Sequence, residues 1–282
     1  MKFRLLLLIQ LIICSNLYSQ YYNLSDSTYY SDSSFRTLYI GDIVINYENG
    51  KIKSKMSYVN GKAHGEFISY YENGKINSKS NYVNNIENGE CALYFENGEV
   101  LFKINLVNGD LQGPYFLYFE DGAIYQKGTY LKGINDGEWH EYYESGQLRY
   151  LINYHNGKQE GESLSYYNQG QIQNKSNFLN ALLDGKYINY YENGQVKNLR
   201  TYSKGEPEGR ALSYYSSGQK SSSKRFVHGK LIGTEIAYYE NGKVKYKKHF
   251  SEGVLQGKAI YYSETGGKKC VEHFNYGAEV VH

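Results

Sequence analysis

The histidines are the residues of this sequence best suited to catalysis or metal binding, and they are scattered. The seven are His64, His140, His155, His228, His249, His273 and His282. The sequence contains no His-Glu-x-x-His, no paired Cys-x-x-Cys, no Gly-x-Ser-x-Gly and no phosphate-binding loop. We therefore predict no catalytic residue, no metal site and no bound cofactor, and the protein is not expected to be an enzyme.

Glutamate and lysine recur at a fixed interval, which is typical of rows on a repeated surface. The acidic row is Glu48, Glu72, Glu96, Glu120, Glu144, Glu192, Glu240 and Glu264, and the lysine row is Lys55, Lys79, Lys103, Lys127, Lys175 and Lys247. Carboxylates can bind calcium, and lysines can bind an acidic polymer, phospholipid headgroups or nucleic acid. Equivalent residues two strands apart would be about 9.6 Å apart, too far for one calcium site. The formal net charge is only +2, so both rows are interpreted as solvated residues and no nucleic acid partner is expected.

Tyrosine is the side chain most suited to recognition here, with 34 copies in 282 residues. One column consists of Tyr70, Tyr94, Tyr118, Tyr142, Tyr166, Tyr190, Tyr214, Tyr238 and Tyr262. Adjacent Tyr-Tyr pairs in a strand point to opposite faces, so one ring can pack while the other stays available. Such rings suit protein interfaces and also stack on sugars. This column is the predicted binding surface; the alternative is that both rows only stabilise the sheet.

Glycine sets the period of the chain. One column is Gly50, Gly74, Gly98, Gly122, Gly146, Gly170, Gly194, Gly218, Gly242 and Gly266, always 24 residues apart. A fixed period of this length indicates a repeat architecture. Asn-Gly between two β-prone runs, as at Asn73-Gly74, predicts a hairpin with a type I′ turn, in which these glycines are structural. The second connection of each unit, such as residues 60–65, is predicted to be a longer return turn.

Each repeat is therefore predicted to contain two strands and two turns. We expect an all-β fold in which residues 41–282 form an elongated array of ten 24-residue hairpins, joined as a continuous single-layer antiparallel sheet. A parallel β-helix solenoid is the alternative, and short Asn-Gly loops favour antiparallel pairing. Residues 20–40 fit the repeat poorly and are interpreted as a leader or an N-terminal cap.

The first residues have the pattern of a secretory signal peptide. Lys2 and Arg4 precede an apolar run over residues 5–13, which is too short to span a membrane. Residues 1–19 are thus predicted to be a signal peptide, with export to the periplasm, the cell surface or the medium, and no transmembrane segment after its removal. Lipoprotein anchoring at Cys14 is not expected, because Ile13 is too bulky for a lipoprotein signal. Cys91 and Cys270 lie seven periods apart and are not expected to form a disulfide.

The repeated unit Gly-Glu-x-x-x-Tyr-Tyr-Glu-Asn-Gly-Lys-Ile, followed by Tyr-x-Asn-Gly-Lys-x-x-Gly, resembles the MORN repeat variant family. This family is common in bacterial proteins that are often described as antitoxin components. The resemblance covers about residues 41–280 and implies an extended antiparallel sheet used for binding. We expect an exported, non-catalytic scaffold or recognition surface for another protein. The alternatives are binding of cell-envelope glycan through the tyrosine rows and antitoxin-like inhibition of a toxin protein.

Overall fold

The computed structural model describes residues 22–23, 28–29 and 38–280. Every regular element in these residues is a β-strand, and they contain no helix that is long and apolar enough to cross a membrane. The predicted signal peptide, residues 1–19, lies outside the described residues, as does most of the predicted leader. The chain divides into two compact units, residues 1–123 and residues 124–282.

The first unit contains eleven strands within its described residues. They are β1 (Tyr22–Asn23), β2 (Thr28–Tyr29), β3 (Gly41–Asn46), β4 (Ile52–Val59), β5 (Lys62–Tyr70), β6 (Ile76–Val83), β7 (Ile86–Glu87), β8 (Gly89–Tyr94), β9 (Val100–Val107), β10 (Asp110–Leu111) and β11 (Gly113–Tyr118). β1 and β2 pair with each other, and from β3 onward each strand pairs antiparallel with its neighbour in sequence. β7 and β8 both pair with β6, and β10 and β11 both pair with β9, so each couple is one interrupted strand.

The second unit repeats the same arrangement without interruption. Its strands are β12 (Ile124–Leu131), β13 (Ile134–Tyr142), β14 (Leu148–His155), β15 (Lys158–Tyr166), β16 (Ile172–Leu179), β17 (Leu182–Tyr190), β18 (Val196–Ser203), β19 (Glu206–Tyr214), β20 (Lys220–Val227), β21 (Lys230–Tyr238), β22 (Val244–Ser251), β23 (Val254–Tyr262), β24 (Lys268–Asn275) and β25 (Ala278–Glu279). Each strand pairs antiparallel with the next. The predicted all-β array of antiparallel hairpins is confirmed, and the parallel β-helix alternative is wrong.

The turn that carries the predicted glycine column is not type I′. In the first hairpin the Gly50 N–H donates to the Tyr47 carbonyl at 2.9 Å, and the Tyr47 N–H donates to the Lys51 carbonyl at 2.8 Å. Gly50 has a φ of 82°, whereas Asn49 keeps a negative φ. A type I turn followed by a left-handed glycine is a three-residue hairpin loop. The Asn49 side chain supports it, because its Oδ1 accepts the Lys51 N–H at 3.0 Å.

The type I′ turn occurs instead at the return connection. Val59 pairs with Lys62, which leaves only Asn60 and Gly61 between the strands, with φ values of 53° and 72°. Positive φ at both central residues defines type I′. The prediction of a longer return turn is therefore wrong. Both connections contain Asn-Gly, and only the pairing register distinguishes them.

One face of each unit is called here the packed face. In every repeat it holds the side chains seven and five positions before the turn glycine. It also holds the side chains four, six and eight positions after that glycine. In the first unit Met56, Ala63 and Phe67 form a buried cluster on this face against Tyr58 and Tyr82. Outside such clusters burial is modest, and no large side chain in the described residues is completely buried. This is expected for a sheet that has no second layer over it.

The packed face of the second unit contains the single tryptophan. Trp139 is 6% exposed, and its ring contacts Tyr130 and Tyr154 edge-on at centroid distances of 5.1 and 6.2 Å. It lies directly over Gly128, where an added Cβ would be 2.3 Å from the indole ring. Gly128 is thus required by side-chain packing, since its φ is not in the positive range.

Candidate functional site

The predicted tyrosine column lies on the face opposite the packed face, because side chains alternate along each strand. This second face is called here the tyrosine face. In every repeat it holds the side chains eight, six and four positions before the turn glycine. It also holds the side chains five and seven positions after that glycine. The Phe116 and Tyr118 rings stack on this face at 6.3 Å, and the His140 and Tyr142 rings stack likewise at 6.3 Å. The side chains six and four positions before the glycine are therefore neighbours.

All nine predicted site tyrosines have the same exposure and position. In the first unit they are Tyr70, Tyr94 and Tyr118, and in the second unit they are Tyr142, Tyr166, Tyr190, Tyr214, Tyr238 and Tyr262, all half-buried. An apolar row runs beside the tyrosines of the second unit and consists of Leu164, Ile188, Leu212, Ile236 and Ile260, also half-buried. The second unit thus presents parallel rows of aliphatic and phenolic side chains, all of them half-buried.

A tyrosine three positions before the turn glycine, in most of these repeats the second of a Tyr-Tyr pair, has a structural role that the sequence did not reveal. Its hydroxyl donates to the backbone carbonyl of the site tyrosine in the following repeat, at 2.6–2.9 Å. The pairs are Tyr47 to Tyr70, Tyr71 to Tyr94, Tyr143 to Tyr166, Tyr167 to Tyr190, Tyr191 to Tyr214, Tyr215 to Tyr238 and Tyr239 to Tyr262. This second row joins successive hairpins, which leaves the first row as the one available for recognition.

Basic side chains cover several rings of this joining row. The Lys53, Lys197 and Lys245 ammonium groups lie 5.3–5.6 Å from the ring centroids of Tyr47, Tyr191 and Tyr239. Burial, with a smaller contribution from Glu72, raises the pKa of Tyr47. The contact distances are those of cation–π interactions, which suit a stabilising role.

The hairpin turns that carry the glutamate row are joined to one another by hydrogen bonds. The Lys51 ammonium donates to the Glu72 backbone carbonyl at 2.7 Å, and the Asn73 amide donates to the Glu96 backbone carbonyl at 3.0 Å. The turns are therefore joined through backbone carbonyls. Within the described residues, no group of three or more His, Cys, Asp or Glu side chains is arranged to hold a metal ion.

The charged columns of the tyrosine face form ion pairs in the first, second and sixth repeats. Lys79 forms an ion pair with Glu66 at 2.5 Å, and Lys175 forms one with Glu162 at 2.5 Å. The hydrogen bond that Lys79 donates to Glu66 raises the pKa of Lys79, and the one that Lys175 donates to Glu162 raises the pKa of Lys175. Lys55 and Asp42 form the corresponding pair in the first repeat at 3.0 Å. Three of the six lysines in the predicted row are thus paired with carboxylates on the same face.

The same columns become basic from the seventh repeat onward, which sequence reasoning missed. Eight positions before the turn glycine, the acidic residues Asp42, Glu66, Glu90, Glu138 and Glu162 give way to Lys186, Arg210, Thr234 and Lys258. Seven positions after it, Ser, Asn and Thr give way to Arg225, His249 and His273. Aligning the repeats would have revealed this change from acidic to basic residues, but the balanced total charge of the chain conceals it.

A polar groove lies on the packed face of the second unit. It has a volume of about 440 Å³ and is lined by side chains that include Tyr167, Tyr187, Asn189 and Asn198. The Asn174 amide, also in this groove, donates to the Asn189 Oδ1 at 3.0 Å. Amide and phenol groups of this kind can hydrogen-bond a neutral polar ligand.

When the chain is compared with known proteins, its repeats match a family model, but the chain as a whole matches no curated protein. A family model described as "MORN repeat variant" matches residues 41–60, 63–84, 111–132, 135–156, 159–180, 183–204 and 231–252, which together are just over half of the chain. No curated protein matches the sequence.

Two solved structures have only a distant likeness to the chain. The crystal structure of TcdB2-TccC3-Cdc42 matches over 79% of this chain and 14% of that chain, with 8% identity and a TM-score of 0.20. The structure of ASR alternansucrase in complex with isomaltononaose matches over 85% of this chain and 18% of that chain, with 17% identity and a TM-score of 0.22. This chain therefore spans less than a fifth of either protein.

Proposed function

This chain belongs to the MORN repeat variant family, and from that premise we propose that it is an exported, non-catalytic scaffold that binds another protein through its tyrosine face. Repeats of this family are generally modules that bind proteins or membranes. Export is proposed from the signal-peptide pattern of residues 1–19, and the binding surface is proposed from the tyrosine face itself.

The observation that carries this proposal is the pair of rows on the tyrosine face of the second unit. Half-buried aliphatic side chains, such as Ile188 and Leu212, lie beside half-buried tyrosines, such as Tyr190 and Tyr214. Tyrosine is enriched in protein interfaces because its ring supplies apolar area and its hydroxyl supplies a hydrogen bond. The joining tyrosines, such as Tyr191, fix the spacing of these rows, so the surface is organised before a partner arrives.

Site-specific photocrosslinking tests this proposal. A crosslinking phenylalanine analogue replaces Tyr190 or Tyr214 on the tyrosine face, and Tyr187 or Tyr246 on the packed face as the matched control. We expect one protein partner to crosslink from the tyrosine face in envelope or secreted fractions of the source cells, and not from the packed face. Crosslinking from the packed face alone would assign the partner to the other surface and contradict the proposal.

The polar groove supports a second candidate function, which is binding of a cell-envelope glycan. Tyr167 and Tyr187 offer ring surfaces there, and Asn189 and Asn198 offer amide groups. Retention of the protein on cell-wall material, competed by soluble glycan and lost in Asn189→Ala with Asn198→Ala, would favour this candidate. Retention that depends instead on Tyr214, which does not line the groove, would place the glycan on the tyrosine face.

An antitoxin-like inhibitor is the special case in which the crosslinked partner is a toxin. The identity of the captured protein, together with loss of its toxic activity in the complex, distinguishes this case from a structural scaffold.

A further inference from the structure

Five basic residues lie together on the tyrosine face of the last four repeats. This set, called here the basic patch, consists of Lys186, Arg210, Arg225, Lys247 and Lys258, of which all but the half-buried Lys247 are exposed. In residues 38–280, none of the five forms an ion pair, although Lys55, Lys79 and Lys175, which occupy the position of Lys247 in earlier repeats, do. The patch therefore differs from the earlier repeats in placing unpaired basic residues where most of those repeats have acidic ones.

The centre of the patch is unfavourable for the isolated sheet. Arg210 of β19 lies directly opposite Arg225 of β20 in the pairing register. Like charges at directly opposed positions of antiparallel strands destabilise the pair. In the first repeat the same two positions hold Asp42 and Ser57, whose side chains are hydrogen-bonded at 2.6 Å.

Two carboxylates that each stand two residues before a member of the patch accept hydrogen bonds from the backbone. Asp184 accepts the Lys204 N–H at 3.0 Å, and Glu208 accepts the His228 N–H at 2.8 Å. Both bonds support the return turns between strands and hold these side chains away from ion pairs with the patch. The charges of Arg210 and Arg225 are thus left for solvent or for a ligand.

The patch runs alongside the apolar and tyrosine rows rather than apart from them. In three of the last four repeats the order along the first strand is basic residue, aliphatic residue and tyrosine, as in Arg210, Leu212 and Tyr214. A ligand lying across the strands would meet cations along one line and apolar rings and aliphatic groups along the next. A protein segment with acidic and apolar side chains matches both lines, whereas a uniformly charged polyanion matches only one.

We infer that the last four repeats bind an acidic, extended segment of a partner protein, whose carboxylates pair with the basic patch and whose apolar side chains lie on the aliphatic and tyrosine rows. This inference rests on the proposed protein-binding function and specifies the chemistry of the partner. Complementary charge of this kind chiefly sets orientation, specificity and the association rate.

The spacing of the patch defines the probe. Two strands per repeat separate equivalent residues by about 9.6 Å, and an extended chain rises about 3.3 Å per residue, so about three residues span one repeat. The probe is a fluorescent peptide of about twelve residues with aspartate at every third position and leucine beside it. Its partner probe carries asparagine in place of each aspartate.

The test measures peptide binding to the full mature chain by fluorescence polarisation. We expect the aspartate peptide to bind, the asparagine peptide to bind about tenfold more weakly, and affinity to fall with added salt, since such ion pairs are individually weak and screened. Arg210→Gln with Arg225→Thr should lower affinity by about tenfold as well. Lys175→Gln, which removes a base already paired with Glu162, is the matched control and should leave affinity within about twofold.

Folding of the variants is checked by thermal unfolding. Because Arg210 and Arg225 oppose each other, Arg210→Gln with Arg225→Thr should raise the midpoint of unfolding or leave it unchanged, so lost binding cannot be assigned to lost structure. Equal binding of the two peptides, or equal loss in Lys175→Gln, would overturn the inference. So would binding of anionic phospholipid vesicles or of single-stranded DNA with no binding of the aspartate peptide.

The outcome separates this inference from the proposed function. A protein partner that crosslinks at Tyr190 but binds equally well to Arg210→Gln with Arg225→Thr would keep the scaffold proposal and reject the acidic segment. Peptide binding to the patch without any crosslinked partner would support the segment chemistry and reject the scaffold role assigned to the tyrosine face.

Discussion

The two phenol hydroxyl groups of one Tyr-Tyr pair differ in their hydrogen bonding, although the two residues are adjacent and chemically identical. The Tyr191 hydroxyl donates to the Tyr214 carbonyl at 2.9 Å, whereas the Tyr190 hydroxyl makes no hydrogen bond to the described residues. Strand alternation alone separates them. The sequence predicts that the two rings point to opposite faces, but the carbonyl acceptor belongs to the following hairpin, and only the pairing register brings it within reach.

Removal of a single hydroxyl distinguishes the two roles. Tyr191→Phe should lower the free energy of unfolding by about 1 kcal/mol, the usual contribution of one hydrogen bond. Tyr190→Phe is the control and should have little effect on stability. Urea unfolding measures both, and an equal loss in the two variants would contradict the assignment of the joining row.

The two described cysteines should differ sharply in reactivity. Cys91 is 3% exposed, and burial raises the pKa of its thiol to about 12, so almost none is present as the reactive thiolate near neutral pH. Cys270 is an exposed free thiol. Maleimide labelling followed by peptide mass mapping should modify Cys270 in the native protein and Cys91 only after unfolding. Modification of both at the same rate would show that the first unit opens readily.

The packing of Trp139 on Gly128 supplies a third test at this scale. Gly128→Ala should lower stability by about 1–3 kcal/mol, as overpacking of a core site does, and should shift the emission of the single tryptophan. Gly267→Ala is the control, because Gly267 also lacks a positive φ and its added Cβ would meet only Ser263 Oγ at 3.4 Å. Unchanged emission in Gly128→Ala would mean that the ring can move aside.

At the scale of the hairpin, the strands follow from the alternation and the period, but the turn types do not. Asn-Gly stands at both connections, in Asn49-Gly50 and in Asn60-Gly61. Which one forms the type I′ turn depends on which residues pair, and a shift of one residue exchanges the two faces. The tyrosine column could therefore be located from the sequence, while the loop geometry and the hydrogen bonds between hairpins could not.

The return turn at Asn180-Ala181 is expected to be less stable than the equivalent return turns that have glycine at the second position. Ala181 has a φ of 67°, where the other repeats, apart from Asn85, have glycine. A left-handed alanine costs roughly 1 kcal/mol, so Ala181→Gly should stabilise the second unit by about that amount. Gly205→Ala, at the next return turn, should destabilise it by a similar amount. Thermal unfolding measures both, and a loss of stability in Ala181→Gly would contradict this account of the turn.

At the scale of the whole molecule, the second unit is stabilised strand by strand. Its described strands pair only with their neighbours in sequence, and no large side chain is fully buried at a common centre. Stability in such arrays is approximately a sum of local terms. The sequence predicts this organisation from its unbroken period, whereas the charge change in the seventh repeat requires the columns to be compared.

Shortening the chain tests that local character. A chain ending at residue 252 lacks β23, β24 and β25 but retains β12 to β22, including Trp139. We expect its tryptophan emission to be native and its β-sheet circular dichroism to fall roughly in proportion to the residues removed. Emission typical of an exposed tryptophan would show instead that the last strands are required for the unit to fold.

The regular spacing of the tyrosine rows also affects how a partner is aligned. A surface on which every repeat is alike allows a long ligand to shift by one hairpin and regain the same contacts, so that several alignments have similar energies. The basic patch makes these alignments unequal, because only the last four repeats carry basic residues eight positions before the turn glycine. An acidic end of a partner would thereby fix both its position and its direction along the array.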